Sequence, residues 1–284
     1  MTVPVARTLS ELRSAVRGWQ DAGERVSVVP TMGALHAGHL SLVRAAKDQS
    51  DRVIVTLFVN PTQFGDPADL ETYPRTEADD ARKLAPLGVD LLYAPGVGEI
   101  YPEGFATTVS VAGVSASLCG AFRPGHFDAV ATVMAKLFLK TAADIAFFGE
   151  KDRQQLEVIR KMVTDLNLDV EIVGLPIIRE PDGLAMSSRN RYLGKTERET
   201  AKSLHQALQQ AQQLVTQGES SAEAIRTSMR TIIEREGQVK VDYISVCDPK
   251  RFEELEEIQG KAMIALAVHV GKARLIDNCL IERI

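Results

Sequence analysis

Short apolar runs rich in valine and isoleucine recur along the first two thirds of the chain, and they constrain the fold more than any other feature. The runs are continuous rather than alternating, as expected for strands buried on both faces of a parallel sheet. They occupy residues 25–30, 51–59, 89–95, 143–149 and 170–178. Helical patterns lie between them, and this alternation predicts a doubly wound, Rossmann-like α/β domain with a parallel sheet.

The first helix has the clearest local start signal. Thr8 and Glu11 have the spacing of a capping box, and the helix that they open is expected to end near Gly23. Acidic residues in a first turn and a glycine at the end predict another helix within 76–88. Further helices are expected at residues 38–49, 126–140 and 151–166.

The pattern changes after about residue 180. Residues 196–236 predict two helices opened by capping boxes at Thr196/Glu199 and Ser220/Glu223. Strand-like segments follow at 239–249 and 261–281 without crossover helices between them, which indicates an antiparallel sheet. The chain is therefore expected to contain a nucleotide-binding domain at 1–177 and a smaller α+β lid domain at 178–284.

Composition excludes some functions. The formal net charge of the 284 residues is -5, which argues against general binding to nucleic acids or acidic membranes. No window approaches 18 uninterrupted apolar residues, and the first residues show no secretion signal, so neither a membrane span nor export is expected. The three cysteines are odd in number and far apart, which fits a reducing cytoplasm and gives no metal-ligand spacing.

The stretch "PTMGALHAGHL" at 30–40 places His36 and His39 three residues apart, directly after an apolar run. A structural role is one interpretation, and zinc is another, although zinc needs more than two ligands. The third interpretation is a phosphate site. Gly33 and Gly38 allow close backbone approach, and a helix starting near Gly38 would direct N–H groups and its positive dipole end towards an anion. Imidazole groups at i and i+3 would add donors on the same side.

Three other stretches carry candidate partners for such a site. Lys151 follows the run 143–149 at a helix start, an unfavourable place for a cation unless an anion binds there, and Asp152 could bond a ribose hydroxyl. "MSSRN" at 186–190 is either a turn or helix cap, or a lid that brings Arg189 to phosphates. Asn60 and Gln63 follow the end of a strand, where amides can orient a small polar substrate or simply form a turn.

Taken together, six stretches closely resemble the pantoate–β-alanine ligase family, within the cytidylyltransferase-like nucleotidyltransferases. The resemblance extends through nearly all of residues 5–190. The stretches are "PTMGALHAGHL" (30–40), "FVNPTQF" (58–64), "YPRT" (73–76), "RPGHF" (123–127), "FGEKDRQQ" (148–155) and "DGLAMSSRN" (182–190). The resemblance implies an ATP-dependent ligase that joins pantoate to β-alanine through a pantoyl adenylate and releases pyrophosphate and AMP.

The resemblance also implies roles for individual residues. His36, His39, Lys151 and Arg189 would be catalytic, and Gln63 and Gln155 would hold pantoate. Asp79 and Asp80 would either assist the Mg²⁺ that accompanies ATP or serve only as acidic residues of a helix first turn, so the metal ligands stay open. ATP would be bound by Met32, Gly33, His36, His39, Gly149, Glu150, Lys151, Asp152, Ile178, Met186, Ser187, Ser188 and Arg189.

Two other functions share parts of this pattern. A nucleotidyltransferase that leaves the nucleotide on its product would have the same histidines, and a non-catalytic nucleotide sensor would need the first loop but not the charged "SSRN" segment. The family resemblance favours the ligase, and it further implies a cytoplasmic homodimer with small-molecule substrates and no nucleic-acid or membrane partner.

Overall fold

The computed structural model describes residues 2–235, 237 and 239–283. The chain divides into two compact units. The first comprises the described residues up to Ala112 together with Arg123–Glu150 and Gln155–Pro176. The second comprises Gly113–Phe122, Lys151–Gln154 and the described residues from Ile177 onward. The predicted assignment of nucleotide binding and lid function to residues 1–177 and 178–284 stays a prediction.

A six-stranded parallel sheet forms the centre of the first unit. In chain order its strands are β1 (Val5–Ala6), β2 (Val26–Thr31), β3 (Arg52–Leu57), β4 (Leu91–Tyr93), β5 (Ile145–Gly149) and β6 (Glu171–Leu175). Their spatial order is β1-β4-β3-β2-β5-β6, with Val28 opposite Ile54 on one side and Ala146 on the other. The predicted doubly wound α/β fold is confirmed. The two-residue strand β1, which has no apolar run, was not predicted from the sequence.

The helices between these strands begin and end largely where local signals place them. Thr8 caps the first helix and Glu11 closes the capping box, while Gly23 adopts φ 73° just beyond its end. The described helices up to residue 165 are α1 (Leu9–Asp21), α2 (Ala37–Gln49), α3 (Pro67–Thr72), α4 (Glu77–Leu84), α5 (Val97–Ile100), α6 (Cys119–Phe122), α7 (His126–Thr141) and α8 (Arg153–Asp165).

The core of the first unit lies where the sheet meets its helices. Val29, Val53, Val55 and Phe147 are fully buried in one cluster with residues of α2. On α7, most apolar side chains are also buried, although Leu139 is exposed. Burial of the strands on both faces explains why their sequences are continuous rather than alternating.

The second unit contains a three-stranded antiparallel sheet and two long helices. Its strands are β7 (Val239–Cys247), β8 (Lys261–Val270) and β9 (Ala273–Glu282), in the order β7-β8-β9. Helices α9 (Lys195–Thr216) and α10 (Ala222–Arg235) share one apolar cluster with the sheet, which includes Leu204, Met229 and Ile264. The antiparallel sheet and the two helices confirm the predicted smaller α+β architecture of this part of the chain.

Both capping boxes predicted in the second unit are wrong by one or two residues. Helix α9 begins at Lys195, and the Glu197 carboxylate accepts the backbone N–H of Gly194 at 2.7 Å. At α10 the side chain of Ser221, not Ser220, accepts the N–H of Ala224. Neighbouring polar residues offer equivalent local signals, so only the packed position of each helix selects the cap.

Gln154 fastens the segment 113–122 within the second unit. Its side-chain oxygen accepts the N–H of Cys119 at 3.0 Å, and its amide nitrogen donates to the carbonyls of Val114 and Ser117 at 3.0 and 2.8 Å. The Gln154 side chain is buried. Three backbone groups of the loop therefore depend on one amide.

Within the part of the chain that the structure describes, no helix has the length and apolar character needed to cross a membrane.

Candidate active site

The first unit has a topological switch point between β2 and β5. From β2 the chain proceeds through β3 to β4 on one side, whereas β5 and β6 lie on the other side. In open parallel sheets, ligands bind in the crevice that forms at the carboxyl ends of strands at such a point. The loop that carries Met32 and Gly33 follows β2, and Gly149 ends β5. The fold thus brings two of the predicted ATP-binding stretches to this edge.

The loop after β2 has an unusual backbone. Gly33 and Ala34 have φ values of 83° and 52°, both in the left-handed region. A Cβ on Gly33 would lie 3.2 Å from Oδ2 of Asp80 and 3.3 Å from Leu57. Glycine is required at Gly33 because both the backbone angle and the close approach exclude a side chain.

Asp80 holds this loop from helix α4. Its carboxylate oxygens accept the backbone N–H groups of Ala34 and Leu35 at 2.9 and 2.8 Å, and the hydroxyl of Thr76 donates to Oδ2 at 3.0 Å. Asp80 is completely buried. The ammonium group of Lys83 adds a 2.7 Å hydrogen bond to the carbonyl of Leu35. The role of Asp80 is therefore to shape the loop, a function that sequence reasoning did not foresee.

Asp79 differs from its neighbour. Its carboxylate is exposed and pairs with Arg82 on the same helix. Among the residues that the structure describes, no three histidine, cysteine, aspartate or glutamate side chains are grouped so that they could hold a metal ion. A role of Asp79 or Asp80 towards the Mg²⁺ that accompanies ATP stays a prediction.

The two histidines stand at the start of α2. His36 is the residue before the helix, and His39 lies in its first turn. Their ring centroids are 4.0 Å apart with an interplanar angle of 30°, and Nδ1 of His39 lies 3.4 Å from the backbone nitrogen of His36, from which it accepts a hydrogen bond. A neutral His39 that accepts at Nδ1 carries its proton on Nε2. Both imidazoles are half-buried at the start of α2, where the first backbone N–H groups of a helix have no partner within the helix.

Gln63 is positioned by a buried asparagine. The side-chain nitrogen of Asn60 donates to Oε1 of Gln63 at 2.9 Å, while its oxygen accepts the hydroxyls of Thr62 and Tyr101, each at 2.9 Å. Burial raises the pKa of Tyr101, which keeps this phenol protonated as a donor. The backbone carbonyl of Gln63 accepts a 3.0 Å hydrogen bond from Arg123. These contacts fix the orientation of the Gln63 amide.

Lys151 and Asp152 belong to the second unit. Lys151 lies in a 3₁₀ turn, Glu150–Asp152, just before α8 rather than within that helix. Its ammonium is 3.7 Å from the Asp152 carboxylate, and its side chain is 19% exposed. The backbone carbonyl of Lys151 accepts a 3.0 Å hydrogen bond from the amide of Asn278. The lysine is thus held by its main chain, and its ammonium is loosely paired with Asp152.

The segment from Ile178 to Arg189 forms a folded turn followed by a short helix. The carbonyl of Ile178 accepts the N–H of Met186 at 2.9 Å. Ser187 caps the 3₁₀ helix Ser188–Tyr192 by accepting the N–H of Arg189 at 3.3 Å. The helix-cap interpretation of Ser187 is therefore correct, and it is compatible with a role in binding phosphate.

The predicted site residues are divided between the two units. Those in the first unit are Met32, Gly33, His36, His39, Gln63, Gly149, Glu150 and Gln155; those in the second are Lys151, Asp152, Ile178, Met186, Ser187, Ser188 and Arg189. Gln155, on α8, is half-buried. Convergence of the two sets on one nucleotide stays a prediction.

Sequence reasoning missed the supporting residues Asn60 (in its orienting role), Gln154, Arg179, Asp277 and Asn278. For the last two, the polar pair inside the apolar strand "LIDNCL" was a usable signal.

The sheet, its switch point and the helix start that bears the two histidines define a doubly wound α/β protein of the phosphate-binding kind. A family model described as pantoate-beta-alanine ligase matches residues 4–280. The chain belongs to the pantoate–β-alanine ligase family.

Proteins named pantothenate synthetase are similar over almost the full length of the chain. The protein from Roseobacter denitrificans is 54% identical, with 98% of each chain covered, and that from Caldicellulosiruptor bescii is 48% identical, with 98% of this chain and 99% of the relative covered.

Solved structures are similar as well. The pantothenate synthetase of Thermus thermophilus matches with a TM-score of 0.92 and 44% identity, covering 98% of this chain and 99% of that one. The pantoate-beta-alanine ligase of Francisella tularensis, in complex with beta-gamma ATP and beta-alanine, matches with a TM-score of 0.82 and 35% identity, covering 98% and 97%.

Proposed function

We propose that this chain condenses (R)-pantoate with β-alanine to give pantothenate, using ATP and passing through an enzyme-bound pantoyl adenylate. Membership of the pantoate–β-alanine ligase family supports the reaction. The structural observation that carries the proposal is the paired histidines at the start of α2, on the edge of the sheet where β2 and β5 diverge. The Francisella tularensis relative, which binds beta-gamma ATP and beta-alanine, supports the choice of substrates.

In the first step a carboxylate oxygen of pantoate attacks the α-phosphorus of ATP, and the bond to pyrophosphate breaks. An adenylyl transfer of this kind, like phosphoryl transfer, needs positioning and stabilisation of spreading negative charge rather than a covalent enzyme group. The Nε2–H of His39 and the N–H groups at the start of α2 donate to that charge. His36, Lys151 and Arg189 complete the set of donors and cations.

Binding of the nucleotide uses both glycine-containing stretches and the second unit. Met32 and Gly33 line the phosphates, and Gly149 to Asp152 hold the ribose and a phosphate. Ile178 contacts the adenine through its backbone. Met186 to Ser188 close on the triphosphate beside Arg189. The carbonyl of Ile178 accepts the N–H of Met186, which holds the Ile178 backbone in place for this contact. Mg²⁺ enters as part of the ATP substrate, and no residue is assigned to hold it.

Pantoate is held by Gln63 and Gln155. A neutral amide can bond a hydroxyl or carboxylate without neutralising the charge that must attack phosphorus. The Asn60 contact supports this role for Gln63, since it turns the glutamine oxygen towards Asn60 and leaves the amide nitrogen to face a ligand.

In the second step the amine of β-alanine attacks the carbonyl carbon of the mixed anhydride, and AMP departs. The amine must arrive unprotonated, so activity falls in acid. A closed lid would protect the adenylate from water. The cytoplasmic location and the homodimer follow from the family resemblance and belong to the same proposal.

The decisive experiment is ATP–pyrophosphate exchange with and without pantoate, followed by measurement of AMP release when β-alanine is added. The ligase exchanges only with pantoate and then releases one AMP per pantothenate. A nucleotidyltransferase would retain the nucleotide on its product, and a sensor would bind ATP without exchange. Either result would exclude the proposed reaction.

A further inference from the structure

We infer that Asp277 and Asn278, two consecutive residues of β9, are positioning residues that set Lys151 and the segment 178–190 in a fixed mutual arrangement for ATP. The inference rests on the proposed function, because that function assigns both segments to the nucleotide. All of the residues involved belong to the second unit.

The two side chains are unusual for their place in the fold. Asp277 is 2% exposed and Asn278 is 8% exposed, within a strand that is otherwise largely apolar. Burial of a carboxylate and an amide is costly unless each finds partners. Their hydrogen bonds run to the two predicted nucleotide-binding segments rather than to neighbouring strands alone.

Asp277 anchors the turn that begins the second segment. Its two carboxylate oxygens accept from the guanidinium of Arg179 at 2.6 and 3.0 Å, a bidentate pair. The Arg179 side chain also donates to the carbonyl of Gly183 at 3.0 Å. The backbones of Arg179 and Ala185 form an antiparallel β-bridge across the turn. Because the guanidinium is a rigid fork, this pairing fixes direction as well as distance.

The turn that Asp277 anchors also holds Met186 and Asn190, which follow it in the chain. Met186 donates its N–H to Ile178, and the side chain of Asn190 donates to the carbonyl of Ala185 at 3.1 Å and to Glu180. The 3₁₀ helix that carries Arg189 is therefore tied to the same turn that Asp277 anchors.

Asn278 connects the first segment to the same strand. Its amide nitrogen donates to the backbone carbonyl of Lys151 at 3.0 Å. Its own backbone N–H donates to Oδ1 of Asp277 at 2.8 Å, the oxygen that also accepts from Arg179. Two neighbouring residues on one rigid strand thus hold Lys151 and the Arg189 segment, which is the kind of support that keeps binding groups in a productive geometry.

The test measures the dissociation constant of a non-hydrolysable ATP analogue by calorimetry, together with the KM for ATP and for pantoate in the exchange assay. We expect Asn278→Ala and Asp277→Asn to weaken ATP binding about five-fold to ten-fold, a change in affinity that corresponds to the loss of one positioning hydrogen bond. The KM for pantoate should stay within about two-fold on the same reasoning. Asn278→Ser, too short to reach Lys151, should repeat the effect of Asn278→Ala.

Two controls separate positioning from general stability. Ile281→Val trims the core on the same strand and should leave ATP affinity unchanged at a temperature where all variants are folded. In a Lys151→Ala background, Asn278→Ala should have almost no further effect, because the ammonium that it positions is gone.

Unchanged ATP affinity in Asn278→Ala and Asn278→Ser, or an equal loss in the Lys151→Ala background, would overturn the inference. If Asp277→Asn fails to fold, Arg179→Lys tests the same link, since lysine cannot form the bidentate pair. If the unmodified chain binds the analogue but shows no pantoate-dependent exchange, the proposed reaction is wrong while the binding data still decide the role of Asn278.

Discussion

The Asp80 carboxylate lies 2.9 Å from the backbone nitrogen of Ala34, a residue with a φ of 52° that is separated from it by 46 positions in the chain. Residues other than glycine seldom adopt this conformation, and they persist in it only when surrounding contacts hold them there. The loop leads directly into His36 at the start of α2. The geometry of the histidine pair therefore depends on a buried carboxylate from a different helix.

Replacing Asp80 with asparagine tests this dependence. Asp80→Asn should reduce the free energy of unfolding by about 2 kcal/mol, because a buried N–H then faces an amide nitrogen instead of a carboxylate oxygen. It should also raise the KM for ATP. Urea unfolding and steady-state kinetics check both effects, with Asp79→Asn, an exposed neighbour, as the control. Unchanged stability combined with a higher magnesium requirement would instead indicate a metal-binding role.

His39 and Lys151 are expected to stabilise charge in adenylate formation. His39→Ala or Lys151→Ala should slow pantoate-dependent ATP–pyrophosphate exchange by about 10²–10³, as is usual for the loss of one preorganised donor. Circular dichroism should show an intact fold, because the backbone of Lys151, not its side chain, makes the contact with Asn278. Lys161→Ala removes an exposed lysine paired with Asp165 and should retain full activity. Near-normal exchange in either active-site variant would refute the assignment.

Two adjacent glutamines on the chain should respond in opposite ways to substitution. Gln154→Ala should destabilise the protein by about 1–3 kcal/mol, since it leaves buried backbone groups of the segment 113–122 without their partner. Gln155→Ala should leave the unfolding midpoint nearly unchanged and raise the KM for pantoate. Thermal unfolding and initial rates at varied pantoate distinguish the two. A pantoate effect confined to Gln154→Ala would contradict the proposed ligand.

His205 makes stability depend on pH. Burial, followed by the nearby Arg179 guanidinium, lowers its pKa below the ordinary 6.5. The unfolded chain then binds more protons than the folded one between the two pKa values. This contribution to stability is fully present above pH 6.5 and is lost as the pH falls below it.

The expected observation is a melting temperature that decreases as the pH falls below 6.5 and a flatter profile in His205→Gln. Burial acts to raise the pKa of Glu180, but Arg198 and Asn190 hold it below 4.5. Protonation of Glu180 therefore changes stability only at a lower pH than protonation of His205 does. An identical slope in His205→Gln over the same pH interval would show that other groups are responsible.

Much of the fold was predictable because local signals agree with the packed structure. Continuous apolar runs predicted β2 to β6 within one or a few residues, because both faces of a parallel strand must be apolar. Thr8 and Glu11 predicted the start of α1 because their hydrogen bonds close within one turn. The same local reasoning misplaced the caps of α9 and α10, where several polar neighbours could serve equally well.

The sequence by itself determined the class of fold, the two histidines after the apolar run of β2 and, through six short stretches, the family. Only the tertiary structure decided which side chains hold those stretches in place: Asp80 under the Ala34 loop, Tyr101 on Asn60 beside Gln63, and Asp277 with Asn278 on β9. The physical reason is distance along the chain. A helix cap or a buried strand is specified by residues within a few positions, whereas a hydrogen bond across many tens of residues exists only after the chain has folded.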